Sequence, residues 1–195
     1  MTALATVLYE DSMRPGARGE YPLHDLVMQL VEDEINGQTR LLRPLVDKNP
    51  CKGINNVLND VKRTALIAGA GKLYLLVDRD KIARHLGLQA NAPDADVVDA
   101  LKERSDTKDK LHPFFLSPNV EGLLRSIRTC DPHLLPGNVT AALKKKLNDR
   151  DIVFNEAGIA AHKKLRDCVR KDQPGLSALA KAIADTVSSS GAAIT

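Results

Sequence analysis

Apolar residues along this chain follow two rhythms, unbroken short runs and recurrences every three or four residues. The run Ala3-Leu4-Ala5-Thr6-Val7-Leu8-Tyr9, ending at Glu10, predicts a first strand. The polar stretch 11–22, with Gly and Pro, predicts a loop. Leu23, Leu26, Val27, Leu30 and Val31 then recur at helical spacing to about Ile35, and Asn36-Gly37 ends the helix. Residues 39–46 predict a second strand, placed toward a sheet edge by Pro44. Residues 53–68 predict a helix carrying Ile54, Val57, Leu58, Val61, Ala65 and Leu66 on one face, closed by Gly69 and Gly71. The run Leu73-Tyr74-Leu75-Leu76-Val77 has no polar alternation, which predicts a strand buried on both faces. Val97, Val98 and Leu101 mark a helix after Ala92-Pro93-Asp94. Residues 110–116 predict a fourth strand, closed by Ser117-Pro118-Asn119, and a helix over 120–127 follows.

Strands alternating with helices imply an α/β fold, a mostly parallel sheet flanked by helices. Beyond Pro136 the texture becomes purely helical, over 139–147, 156–169 and 176–187. The expected organisation is an α/β domain over 1–135, a helical extension packed on it over 136–188, and a flexible tail over 189–195.

A hydrophobic content of 43 % supports a real core, and an aromatic content of 3 % makes that core aliphatic. The net charge of +3 permits nucleic-acid binding without arguing for it. Cys51, Cys130 and Cys168 are isolated, odd in number and without C-x-x-C spacing. That pattern predicts reduced thiols in a cytoplasmic protein, and argues against a disulfide framework and a zinc site. No apolar run approaches the roughly 20 residues of a membrane span, and the first residues do not read as a secretion signal, so no membrane partner is expected.

The chemistry is concentrated where strands end. Asp78 closes the buried strand and Asp80 stands in the turn after it, while Glu10 closes the first strand and Glu121 opens the helix after the fourth. Ligands of open α/β sheets bind at the carboxyl ends of the strands, and parallel strands bring those ends to one edge. Clustered carboxylates repel one another unless a cation is present, and a hard divalent ion such as Mg²⁺ or Mn²⁺ takes oxygen ligands of this kind. Glu10, Asp78, Asp80 and Glu121 are thus the candidate metal ligands. The competing explanation is helix capping, since Asp is a favoured N-cap and acids suit the first turn of a helix.

The segments Val7-Leu8-Tyr9-Glu10 and Leu75-Leu76-Val77-Asp78-Arg79-Asp80 resemble the strand-Glu and strand-D-x-D elements of the TOPRIM domain of topoisomerases, bacterial primases and OLD-type nucleases. Leu116-Ser117-Pro118-Asn119-Val120-Glu121-Gly122-Leu123-Leu124 is similar to the strand-loop-Glu-helix element of small stand-alone TOPRIM-like proteins, some of them associated with bacterial defence against phage. The resemblance covers residues 3 to 127. It implies a Mg²⁺-dependent nuclease acting on nucleic acid, with DNA placed before RNA and a partner protein as a further element. It makes Glu10, Asp78 and Asp80 the catalytic residues, Glu10 handling a proton or binding metal, with Glu121 an auxiliary ligand. Arg79, Arg14, Arg18 and His112 are the candidate substrate contacts. One departure stands out: the family usually has Gly after its first Glu, and here Asp11 follows.

Other readings are weaker or differ in class. Gly69-Ala70-Gly71-Lys72 precedes a strand and is followed by Leu73, the reverse of a phosphate-binding loop. A HAD-like phosphatase places its D-x-D on the first strand, not the third. No tyrosine is placed as a topoisomerase nucleophile. The basic runs around Lys144-Lys145-Lys146 and His162-Lys163-Lys164-Leu165-Arg166 are either solvated helix faces or a grip on a nucleic-acid backbone. The alternative to an enzyme is a TOPRIM-like scaffold that binds a partner protein or nucleic acid without turnover.

Overall fold

A computed structural model describes residues 3–10, 22–36, 39–67, 71–133 and 162–190. The strands are β1 (Ala5–Tyr9), β2 (Val46–Pro50), β3 (Lys72–Asp78) and β4 (Leu111–Leu116), and they form one sheet in the order β2-β1-β3-β4. All three pairings are parallel, with Leu8 opposite Leu75 and Asp78 opposite Leu116. Helices fill the connections: α1 (Pro22–Ile35), α2 (Thr39–Leu42), α3 (Ile54–Ile67), α4 (Arg79–His85), α5 (Asp94–Ser105), α6 (Val120–Cys130), α7 (Lys163–Asp172) and α8 (Pro174–Ser189), with a 3₁₀ turn at Lys108–Lys110. The expected α/β architecture is present.

The sheet divides two cores, because side chains alternate along each strand. Val7, Tyr9, Tyr74, Leu76 and Leu116 face α1, α6, α7 and α8. Leu8, Leu73, Leu75, Val77 and Leu111 face the opposite layer, built by α3, α4 and α5. The C-terminal helices therefore complete one of the two cores. Leu176, Leu179, Ala180, Ile183 and Val187 of α8 are fully buried in it. The Tyr74 hydroxyl donates to the Ala182 carbonyl at 3.0 Å, tying β3 to α8.

Electrostatics fixes α7 as well. Arg166 donates two hydrogen bonds to Asp33 of α1, at 2.7 and 2.8 Å, with both side chains nearly buried. Arg170 pairs with Glu34. Arg166, one of the basic residues considered for a nucleic-acid grip, is thus turned inward onto α1, as is Arg170.

Two expectations are corrected. Residues 39–46 do not form a strand: they begin as α2, and the second strand starts only at Val46. As an edge strand β2 buries little besides Val46, while Asp47 is exposed, so its sequence lacks an apolar run. Cys130 and Cys168 are not separate thiols but form a disulfide joining α6 to α7, and Cys51 alone is a buried free cysteine. A spacing of 38 residues carries no disulfide signal, and only the packing of the two helices brings the sulfurs together. The helix expected over 176–187 is α8, which runs from Pro174 to Ser189. The expected helix over 139–147 and the first residues of that over 156–169 lie outside the described residues.

No helix among the described residues is long and apolar enough to cross a membrane.

Candidate functional site

Glu10 follows β1 directly and is held on both sides by backbone. Its N–H donates to the Leu76 carbonyl at 3.2 Å, and its carbonyl accepts from Gly53 N–H at 2.7 Å. The residue just past β1 therefore delivers its side chain to the carboxyl edge between β2 and β3. There Glu10 Oε2 accepts the backbone N–H of Asp78 at 3.1 Å. Glu10 is 7 % exposed and Asp78 1 %.

Asp78 ends β3 and precedes α4, yet its side chain makes no capping hydrogen bond to that helix. Its Oδ1 reaches across instead and accepts Val120 N–H, the first amide of α6, at 2.9 Å. Asn119 caps the same helix by accepting Gly122 N–H at 3.0 Å. The capping explanation thus holds for Asp78 in a modified form: the helix it serves lies 42 residues further along the chain.

A residue that the sequence did not bring forward completes the arrangement. Lys81, one turn into α4, sets its ammonium 2.5 Å from Asp78 Oδ2 and 3.4 Å from Glu10 Oε1. Its spacing of three residues from Asp78 was the available signal, since i and i+3 share one face of a helix. One ammonium thus serves two buried carboxylates. Burial raises the proton affinity of Glu10 above the usual carboxylate range and Asp78 adds to it, while the Asp78 N–H and Lys81 pull the other way. Burial likewise raises Asp78, opposed by Lys81 and the Val120 N–H and reinforced by the charge of Glu121. For Lys81, burial favours the neutral amine, but Asp78 and then Glu10 overcome it and raise the pKa above that of an ordinary lysine.

The other candidate residues divide. Asp80 lies in the first turn of α4, where Oδ2 pairs with Arg84 and the buried Oδ1 has no hydrogen-bond partner among the described residues. Asp78 Oδ2 also lacks an aligned hydrogen bond, its contact with Lys81 being an ion pair. Glu121 stands in the first turn of α6, near enough for its charge to act on Asp78. Arg79 is turned away, donating to Asp94 at 3.0 Å and to the carbonyls of Ala90 and Ala92. His112 is four residues up β4 from Leu116, about 13 Å from the acidic edge along the strand, against the ring of Tyr74. Arg14, Arg18 and Asp11 lie outside the described residues.

Among the described residues, no three Asp, Glu, His or Cys side chains are gathered closely enough to hold a metal ion. The physical reason is visible: Lys81 stands between Glu10 and Asp78, and Arg84 draws Asp80 aside. The donor set nevertheless has the chemistry of a hard-cation site, carboxylate oxygens of which Asp80 Oδ1 is buried with no hydrogen-bond partner among the described residues and Asp78 Oδ2 meets the Lys81 ammonium. Concavity does not single out this edge, because a cleft of about 560 Å³ lies at the opposite end of the sheet, beside Lys62, Leu66 and Lys110.

No protein family, curated protein or solved structure matches the chain.

Proposed function

We propose that the Glu10–Asp78 edge is a divalent-cation site of the TOPRIM kind, serving phosphodiester chemistry on nucleic acid, with DNA the first substrate to test. One observation carries the reading. Two buried carboxylates from neighbouring parallel strands converge on a single cation, the Lys81 ammonium, in a place where only a cation is tolerated. Glu10 and Asp78 would hold the metal, with Asp80 and Glu121 at its rim. Bound Mg²⁺ would neutralise phosphate charge and activate water. The protein's own part is to hold Glu10 and Asp78 in place through the Asp78 and Val120 amides, and to keep a counter-charge on Lys81. Glu10, with its raised proton affinity, is the residue suited to exchanging a proton. The link to phage defence and a partner protein rests on the family resemblance alone.

The same lysine favours a second reading, a non-catalytic scaffold in which the ammonium permanently replaces the metal and the edge docks a partner. The two separate in one experiment. Mn²⁺ binding is followed by electron paramagnetic resonance for wild type, Asp78→Asn and Lys81→Met, beside cleavage of labelled single- and double-stranded DNA and RNA. The metal reading expects binding in wild type, tighter binding in Lys81→Met, none in Asp78→Asn, and metal-dependent cutting that Asp78→Asn loses. Wild type that takes no Mn²⁺ and cuts nothing, while Lys81→Met does bind the ion, supports the scaffold. An edge that takes no Mn²⁺ even in Lys81→Met removes the metal reading.

A further inference from the structure

The junction between α7 and α8 does more than cover the sheet. Gln173, the residue between the two helices, is 2 % exposed, and its amide is fully engaged. Oε1 accepts Ser117 N–H at 3.2 Å, and Nε2 donates to the Ser117 carbonyl at 3.1 Å and to Ser126 Oγ at 3.1 Å. The side chain thus satisfies both backbone groups of Ser117, as one more residue of a neighbouring strand would. Ser117 is the first residue past β4, and Val120, whose amide holds Asp78, comes three residues later.

The intervening turn has little freedom. A methyl group on Gly122 would stand 2.6 Å from the Ser117 carbonyl oxygen and 2.7 Å from Pro118, so the first turn of α6 presses directly on the loop. On the other side, a methyl group on Gly175 would stand 2.0 Å from the Phe115 carbonyl oxygen, so the start of α8 lies against the end of β4. Loop 117–119 is therefore clamped between the α7–α8 junction and α6, and the direction of Val120 N–H follows from that clamp.

We propose that Gln173 is a positioning residue for the acidic edge: through Ser117 and the 117–119 turn it fixes the Val120 amide that orients the Asp78 carboxylate. The C-terminal helices are then a working part of the site. As a statement about metal affinity this rests on the reading of Glu10 and Asp78 as a cation site. As a statement about the Val120–Asp78 hydrogen bond it stands independently. Removing groups that orient a metal ligand typically costs 10–100-fold in metal affinity.

The test compares Gln173→Met, which keeps the shape and removes the hydrogen bonds, with Tyr74→Phe, which loosens α8 from β3 without touching the loop. Backbone amide resonances and hydrogen exchange report on Val120 directly, and Mn²⁺ titration reports on the site. Gln173→Met is expected to speed Val120 exchange and shift its resonance as Asp78→Asn does, and to weaken Mn²⁺ binding roughly 10–100-fold. Tyr74→Phe is expected to leave both unchanged. If Gln173→Met does not fold, Gln173→Glu, which keeps an acceptor for Ser117 N–H, takes its place with the same expectation. A Val120 amide unaffected by loss of the Gln173 amide overturns the proposal, as does an equal effect from Tyr74→Phe. Wild type that binds no Mn²⁺ overturns only the metal reading, because the Val120 measurement still decides the positioning role.

Discussion

A buried histidine beside the site makes acid stability a sharp test of the packing. His24 of α1 is 3 % exposed, and its Nδ1 is hydrogen-bonded to the Tyr9 hydroxyl at 2.9 Å, the two rings meeting edge to face. Burial disfavours the charged imidazolium, so the pair is built for neutral imidazole. Burial lowers the His24 pKa to about 3, helped by the positive charges of Lys48 and Arg43. In the unfolded chain the ring titrates near 6.5. Between these values the unfolded chain takes up a proton that the folded protein refuses. The contribution of His24 is therefore complete above pH 6.5 and is lost as pH falls toward 3. The loss comes to about 2 kcal/mol at pH 5 and about 3 kcal/mol at pH 4. Glu10 and Asp78 act in the opposite sense, because carboxyls with raised pKa favour the folded state more as pH falls. Comparison with a variant cancels their share. Urea unfolding of wild type and His24→Gln, which keeps a hydrogen-bonding group for the Tyr9 hydroxyl and does not titrate, is measured at pH 7.5, 6 and 5. Wild type is expected to lose about 2 kcal/mol more than the variant between pH 7.5 and 5. Parallel pH profiles, or a folded-state His24 resonance titrating near 6.5, would refute the reasoning.

Two further outcomes follow from the C-terminal packing. Reducing the Cys130–Cys168 link, or replacing both cysteines by alanine, should lower stability by about 4 kcal/mol on loop-entropy grounds for a closed loop of this length; a chemical denaturation midpoint indifferent to reductant would show that the link constrains nothing. Gly175→Ala should cost about 3 kcal/mol and disturb the Ser117 and Val120 amides, because the added methyl meets backbone that cannot move aside; a variant as stable as wild type would show that α8 does not approach β4 so closely.

What was legible in the sequence follows from burial. β1 and β3 are the inner strands of the sheet, so their sequences are apolar runs that end sharply, and the acids Glu10 and Asp78 stand out at their tips. The edge strand β2 runs Val46-Asp47-Lys48-Asn49-Pro50 and looks like a loop, which drew the expected strand toward Leu41 and Leu42. Lys81 was hidden because a lysine in the first turns of a helix is ordinarily a solvated residue. Gln173 and the Cys130–Cys168 pair were hidden for another reason. Their meaning depends on contacts across 56 and 38 residues, and nothing local encodes which distant backbone a glutamine will meet. Arg79 was misleading in the other direction, since an arginine flanked by two acids looks like a phosphate contact and instead ties down the α4–α5 connection.

The position of α8 in the chain has a consequence for synthesis. The sheet face that carries Val7, Tyr74 and Leu76 is sealed by Leu176, Leu179 and Ile183. The ribosome makes those residues roughly a hundred positions after Asp78, some 5–20 s later at usual elongation rates. Throughout that interval the nascent chain carries an open aliphatic face and an acidic edge whose Ser117 turn is not yet clasped. Chaperone capture is therefore expected while α8 is still inside the exit tunnel, and a chain halted before residue 174 should remain in that state.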